Sequence, residues 1–238
     1  MDGIVGSLKL GWDALLLKQE AYEEMRAAAS PVVKGLILII VVGVVIALCG
    51  FVGDVLEWAS TPNLDEIRDT VVYYVTRLPF WEDVLRDAPN ALEIFEQNWN
   101  FGWNMAEMFS PNAAIAAVNV ILLPLGLIGR WLISGLLAYL FARWLGGTGD
   151  LSETLGVLAL AVAPQALNVL RVFPFVEVGS LVSLWAILCA YVGLKTAHKL
   201  PWSRAAWATL LPFILVLVIM LLAACLGTSI FAAAVKGG

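Results

Sequence analysis

Long apolar runs separated by short polar segments dominate the chain from residue 32 onward. A run of about 20 apolar residues is long enough to cross the hydrocarbon core of a bilayer as an α-helix. Five such runs predict an all-α polytopic membrane protein with five transmembrane helices. The predicted spans cover 32–52, 131–145 with about one preceding turn, 151–171, 174–195, and a fifth from Trp202 or Trp207 to residue 231.

The second run is longer than one crossing needs, since residues 113–145 are almost entirely apolar. Pro124, Gly126 and Gly129 interrupt it, and Arg130 stands just before the part assigned as the core of the span. The upstream half is therefore predicted to be a kinked extension or a helix lying along the membrane surface. A re-entrant hairpin is the third alternative, because non-helical backbone is tolerated at that depth inside protein.

Two segments outside the spans also show helical spacing. In the N-terminal segment 1–31, Leu8, Trp12 and Tyr22 predict an amphipathic cytosolic helix, lying in the headgroup region or docked on the protein itself. Residues 54–112 hold eleven acidic and three basic residues, and predict two or three short amphipathic helices divided at prolines. The expected organisation is 1–31, a first span 32–53, this acidic segment, and a four-span bundle 113–238.

The composition narrows the function classes. Hydrophobic residues make up 61% of the chain and charged residues 14%, with a mean hydropathy of +0.88, far from a soluble domain. A nucleic-acid partner is not expected, because the chain has no basic stripe. The three cysteines fall in apolar runs, and the one histidine, His198, is expected to face solvent or headgroups. Without a Cys/His cluster, an HExxH motif or a Ser–His pair in a span, we expect no metal, no cofactor and no enzymatic activity.

Basic residues near the span ends predict the orientation, since cytoplasmic loops carry an excess of Lys and Arg. With the N-terminus inside, eight of them lie inside and five outside, with Arg130 left unassigned. An odd number of spans then puts the C-terminus and the acidic segment outside. No cleavable signal peptide is expected, because a mixed-charge stretch precedes the first apolar run.

The stretch "WLGGTGDLSE" at 144–153 raises the question of a phosphate-binding loop. Such loops follow a strand and aim backbone N–H groups at the anion, whereas these glycines follow a membrane helix. We predict a tight inner turn in which Gly146 or Gly147 adopts the left-handed conformation that ends the second span. Gly149 completes the turn, and Asp150 with Glu153 predicts a capping box for the third span. A headgroup or partner phosphate resting on that helix start is the alternative.

Polar residues inside spans are costly and are candidates for function. Gln165, Asn168 and Arg171 follow Pro164 at three-residue steps, so they lie along one side of the third span. They predict either a polar groove for a headgroup or small solute, or a hydrogen-bonded helix contact with Arg171 reaching headgroups or Glu177. Asn119 and Arg130 raise the same choice, and Arg130 is expected to snorkel.

Three stretches carry a family resemblance: "LFARWLGGTGDLSETLGVLALAVAPQAL", "PFVEVGSLVSLWAILCAYVGLK" and "HKLPWSRAAWATLL". Over roughly residues 131–225, their order and spacing resemble the bacterial branch of the Yip-domain (Ypt-interacting-protein) membrane family. The resemblance implies a five-span helical domain with a cytosolic N-terminus, in a bacterial cytoplasmic membrane. The eukaryotic DLYGP-like signature is absent here, so a Rab-type GTPase is not expected as a partner.

Two functions remain open from the sequence. The first is a non-enzymatic scaffold, assembly factor or accessory subunit of a membrane complex, with membrane lipids and protein partners or further copies of itself as contacts. Gly35, Gly43, Gly50 and Gly53 in the first span leave room for close helix approach and agree with that role. The second is a transporter of a small solute or a lipid-handling protein, although no internal repeat supports it.

Overall fold

The computed structural model describes residues 2–60, 64–108, 113–173, 176 and 178–237; its described side chains fall within 3–60, 66–105, 114–173, 176 and 178–225. Within these ranges every regular element is a helix. The α-helices are α1 (Asp2–Leu15), α2 (Gln19–Arg26), α3 (Pro31–Ser60), α4 (Leu64–Val75), α5 (Phe80–Asp87), α6 (Ala91–Met108), α7 (Ala113–Trp144), α8 (Leu151–Ala159), α9 (Gly179–His198) and α10 (Trp202–Gly237), and a 3-10 helix covers Leu160–Val172.

Five helical segments are long and apolar enough to cross a membrane. We call them spans 1 to 5: Pro31–Ser60, Ala114–Trp144, Leu151–Val172, Gly179–His198 and Trp202–Cys225. This confirms the predicted all-α polytopic bundle, in number and order of spans. Span 3 lies at the centre of the packing, where it contacts spans 1, 2 and 4, and span 1 contacts spans 2 and 3 most extensively.

Span 1 is longer than predicted. Hydropathy placed its end at the charged residues Asp54 and Glu57, but the helix continues to Ser60. The acidic residues mark where the apolar stretch stops, and they do not stop the helix because its backbone hydrogen bonds do not depend on side-chain polarity. At 30 residues the helix is about 45 Å long, more than the ~30 Å hydrocarbon core.

Span 2 settles the choice left open for residues 113–145. The helix runs without a break from Ala113 to Trp144, with Pro124 inside it, so the upstream half extends the span and no hairpin forms. A Cβ on Gly43 of span 1 would lie 3.1 Å from the Cα of Pro124. Spans 1 and 2 therefore approach each other closely at Pro124. Proline has no N–H group, so it leaves no unpaired donor at this contact.

Span 3 changes its helix type part of the way along. It begins as α-helix at Leu151 and continues as a 3-10 helix from Leu160 to Val172. Pro164 lies in the 3-10 part, where it removes the bond that an α-helix would direct to the carbonyl of Leu160. Runs of 3-10 helix longer than three or four residues are uncommon, so these 13 residues are an unusual element.

Span 4 begins later than the sequence indicated. The prediction opened it at Pro174, whereas the helix starts at Gly179 and ends at His198. Residues 174, 175 and 177 lie outside the described residues. The helix stops because Lys199 adopts the left-handed conformation, with φ +52°.

The N-terminal segment forms two helices where the spacing predicted one. The chain turns between α1 and α2 at Leu17, whose φ is +56°. Helix α2 docks on the protein, with Tyr22 and Met25 fully buried, whereas α1 leaves Leu8 and Trp12 exposed. The Tyr22 hydroxyl donates to the carbonyl of Ala14 at 3.2 Å. Burial, and then the neighbouring Cys189 thiol, raise the pKa of Tyr22 above its usual value, so the phenol stays a neutral donor.

The acidic segment folds into three helices, α4 to α6, which we call the arm. Their aromatic rings contact one another in a row. Trp81 meets Phe95 edge to face with ring centroids 5.4 Å apart, and the pairs Phe95–Trp99 and Trp99–Trp103 are stacked at 5.6 and 5.8 Å. Such contacts between aromatic rings stabilise a short helical assembly. The tryptophans of the arm therefore pack against other aromatic residues of the arm.

Candidate functional site

The glycine turn at residues 145–150 joins spans 2 and 3. Gly146 has φ +90°, and its N–H donates to the carbonyl of Arg143 at 3.1 Å. The N–H of Gly147 donates to the carbonyl of Ala142 at 2.8 Å. This pair of bonds is a Schellman motif, which confirms the predicted left-handed end of the second span.

A capping box opens span 3, as predicted. The N–H of Glu153 donates to Asp150 Oδ1 at 2.7 Å, and the N–H of Asp150 donates to Glu153 Oε2 at 3.2 Å. The other oxygen of Glu153 accepts from Arg26 Nε of α2 at 3.3 Å, so one carboxylate fastens α2 to the start of span 3. The Asp150 carboxylate already lies where an anion would sit on this helix start.

The remaining glycines of the turn allow close packing. A Cβ on Gly147 would lie 2.7 Å from His198 Nδ1, and a Cβ on Gly149 would lie 2.6 Å from the carbonyl oxygen of Ala197. The turn is thus pressed against the end of span 4. The glycines therefore have a structural role, because they let the turn pack closely against the end of span 4.

His198 is the residue most misjudged by the sequence. The prediction placed it among solvent or headgroups, but it is 1% exposed and is the last residue of span 4. Its Nε2 lies 2.9 Å from the hydroxyl of Thr154, which donates its own hydrogen to the carbonyl of Asp150 at 2.6 Å. The Thr154 oxygen therefore accepts from Nε2–H, which assigns the proton to Nε2. Its neighbours Lys195 and Lys199 are exposed, so nothing in the local sequence signalled this burial.

Two arginines also contact this turn. Arg143 donates to the carbonyl of Gly147 at 3.4 Å, and Arg204 at the start of span 5 donates to the carbonyl of Leu145 at 3.2 Å. The Thr148 N–H donates to the carbonyl of His198 at 3.3 Å. Parts of spans 2, 3, 4 and 5 therefore meet around one turn. We call this the turn end of the molecule.

The polar stripe of span 3 is divided between different neighbours. Asn168 donates to Gln165 Oε1 at 2.7 Å, along the same helix. Arg171 donates to Asp54 of span 1 at 3.4 Å, so its partner is this aspartate, while Glu177 lies outside the described residues. For Asn168 and Arg171 the geometry favours the helix-contact interpretation.

Gln165 alone turns toward a cavity between spans 2 to 5, of about 100 Å³. The lining is largely apolar and includes Trp131, Leu158 and Phe213, and its polar members are Arg130, Ser134, Gln165, Ser183 and Thr209. Arg171 lines a separate cleft of about 310 Å³ with Asp54 and Asn119. Gln165, Asn168 and Arg171 therefore do not line one common groove.

The sequence could not predict that Arg130 and Gln165 line the same cavity. Arg130 lies on span 2 and Gln165 on span 3, and only their packing brings both to one cavity. Ser183 of span 4 joins them there. Hydropathy identifies each as a polar interruption but says nothing of which helix faces which.

The cysteines and acidic residues do not build a metal site in the described part of the chain. Cys49, Cys189 and Cys225 form no disulfide with one another, and they are half-buried, buried and exposed respectively. Cys189 donates weakly to the carbonyl of Ala14 at 3.5 Å and so helps hold α1 on span 4. Buried Cys189 thus packs as the small hydrophobic residue that was predicted.

Five long apolar helices define a polytopic helical integral membrane protein. The family pattern of the Yip1 domain matches residues 12–224, which confirms the resemblance drawn from the sequence. The chain belongs to the Yip1 domain family. Comparison with curated proteins and with solved structures gives no match.

Proposed function

We propose that the chain is a non-enzymatic scaffold or accessory subunit of a membrane complex, and that the arm is the surface that meets its partner. The observation that carries this proposal is the charge of residues 64–108, which hold nine acidic and three basic residues. The arm packs chiefly within itself, so its outer faces are available.

Exposed aromatic residues on the arm support the proposal. Tyr74 and Phe101 are each 66% exposed, on the same arm as the aromatic row of Trp81, Phe95, Trp99 and Trp103. Aromatic side chains concentrate the binding energy of protein interfaces. The indole N–H groups of Trp99 and Trp103 are buried without an acceptor among the described residues, a cost that a rearranged, bound arm would relieve.

The charge of the arm defines the chemistry of the partner. A net negative surface attracts a basic face and repels an acidic one, which favours specificity as well as fast association. We therefore infer a protein partner with a basic extramembrane face. Membrane lipids would surround the spans. The proposed partner is not a Rab-type GTPase, because no feature of the arm calls for one.

The orientation is part of the proposal. Arg26, Arg143, Lys195, Lys199 and Arg204 all lie at or beside the turn end. Since basic residues mark the cytoplasmic side, we infer that the turn end and the N-terminus are cytosolic and that the arm and C-terminus are extracytoplasmic. By the resemblance, the membrane is a bacterial cytoplasmic membrane.

Site-specific photo-crosslinking in native membranes tests the scaffold proposal. A photoreactive residue is placed at Tyr74 or Phe101 of the arm, and in a matched control at Trp202, which is 73% exposed at the turn end. We expect discrete protein adducts from both arm positions and none of the same size from Trp202. Replacing Glu82, Asp83 and Asp87 by Gln, Asn and Asn should remove those adducts. Arm positions that yield no protein adduct, or adducts unaffected by the charge replacement, would contradict the proposal.

A further inference from the structure

Arg130 carries a charge deep in span 2. It stands 14 residues before the helix end at Trp144, which is about 21 Å of helix. In the described part of the chain, its guanidinium has neither an ion pair nor a hydrogen bond. A charge at this depth is expensive unless something compensates it, so an intramembrane arginine without a partner indicates a ligand.

The surroundings of Arg130 specify what kind of ligand would fit. The cavity that it lines also receives Gln165 and Ser183, whose Nε2 and hydroxyl groups make no hydrogen bond within the described residues. These three groups supply several donors to an anion. The rest of the lining is apolar, with Leu127, Ile187 and Phe213 among the largest side chains.

We propose that this cavity binds an anionic lipid, with its negatively charged headgroup on Arg130, Gln165 and Ser183 and part of one hydrocarbon chain in the apolar remainder. A soluble anion would leave the apolar lining unfilled, and a neutral hydrocarbon would leave Arg130 uncompensated. The cavity, about 100 Å³, is smaller than the ~150 Å³ cavity that holds benzene, so it accommodates a segment of chain and not a whole lipid.

Exposure agrees with entry from the bilayer. Arg130 is exposed, and Phe213 of span 5 is 43% exposed beside the same cavity. Two spans whose outer surfaces face lipid thus border the opening. A lipid can reach this site sideways without crossing protein, and the rest of its chains can stay in the membrane.

The test is a lipid titration followed by native mass spectrometry, using the full chain in a neutral detergent. Phosphatidylglycerol and phosphatidylcholine are the two probes, and inorganic phosphate is added as a competitor. The variants are Arg130→Gln, Arg130→Lys, and Ala186→Phe, which fills the apolar part of the cavity. Lys34→Gln is the matched control, because it removes a positive charge from span 1 outside the cavity.

We expect the chain to retain phosphatidylglycerol more tightly than phosphatidylcholine. Arg130→Gln should weaken phosphatidylglycerol binding about tenfold, consistent with losing a charge-assisted hydrogen bond. Arg130→Lys should restore most of it, Ala186→Phe should abolish it, and Lys34→Gln and inorganic phosphate should leave it unchanged. Arg130→Lys also controls for folding, because a variant that binds is a variant that folds.

Three results would overturn the proposal. Equal retention of the two lipids would show that no anion is recognised. Equal losses in Arg130→Gln and Lys34→Gln would show a general effect of surface charge. Competition by inorganic phosphate, or full binding by Ala186→Phe, would show that no hydrocarbon chain occupies the cavity.

Discussion

The hydroxyl of Thr154, in the first turn of span 3, accepts from Nε2 of His198 at the last residue of span 4 across 2.9 Å. Thr154 in turn donates to the carbonyl of Asp150, so the bond extends from the histidine into the capping box. Both side chains are buried. A hydrogen-bonded chain of this kind ties the ends of two spans to one turn.

Replacing His198 by Ala should destabilise the bundle by about 1–3 kcal/mol, because the buried Thr154 oxygen loses the donor that joins it to span 4 and keeps only its own bond to Asp150. The control is Lys199→Ala, an exposed neighbour whose loss should change stability by less than about 0.5 kcal/mol. Thermal unfolding in a mild detergent measures both. An unchanged midpoint for the His198 variant would show that the bond contributes nothing.

Gly53→Ala and Gly50→Ala form a matched pair on span 1. A Cβ on Gly53 would lie 1.8 Å from the carbonyl oxygen of Arg171, whereas nothing lies within 4 Å of one on Gly50. We expect Gly53→Ala to lower stability by about 1–3 kcal/mol through overpacking. Gly50→Ala should be neutral or raise stability by up to about 1 kcal/mol, since Ala is the better helix former. Chemical unfolding of the two purified variants compares them, and equal effects would contradict the close approach.

Asp150→Ala removes the N-cap of span 3 and should reduce stability by about 1 kcal/mol. Ser152→Ala, at an exposed position of the same turn, is the control and should have little effect. Because we assign the segment to a structural turn, fluorescent-nucleotide titration of the wild type should show no saturable binding. Saturable binding that the Asp150 variant changes would instead indicate a nucleotide loop.

The ion pair between Arg171 and Asp54 is only partly buried, with side chains 36% and 27% exposed. Its contribution is best isolated by a double-mutant cycle with Arg171→Gln and Asp54→Asn. We expect a coupling energy of about 0.5–1 kcal/mol, because solvent and salt screen such a pair. A coupling of zero would mean that the contact of spans 1 and 3 at this end depends on packing alone.

The inferred orientation is tested by single cysteines introduced at Phe101 of the arm and at Lys199 of the turn end, in a chain whose three natural cysteines are replaced by Ala. A membrane-impermeant maleimide applied to intact cells should label the Phe101→Cys chain. The Lys199→Cys chain should react only after the membrane is permeabilised. The reverse pattern would invert the assignment while leaving the fold as described.

The elements set by local rules were predictable from the sequence. Hydropathy located five spans, and the residues around Gly146 and Asp150 specified the turn and its capping box, because both motifs involve neighbours in the chain. The bounds were less accurate wherever a polar residue was taken as a helix end, as at Asp54 in span 1, since polarity decides exposure and not helicity.

The features that depend on packing between spans were not predictable. The burial of His198, the pairing of Arg171 with Asp54 and the shared cavity of Arg130 and Gln165 all join residues far apart in the chain. A hydrophobicity profile carries no information about which helix faces which. The stripe of polar residues in span 3 shows the limit, because one residue of it enters the cavity and another meets span 1.

The 3-10 helix also changes how far a membrane segment reaches. Its rise is about 2.0 Å per residue against 1.5 Å in an α-helix, so the 22 residues of span 3 extend about 40 Å, where an α-helix of that length would extend about 33 Å. Residue counts alone therefore underestimate the thickness that this crossing can match.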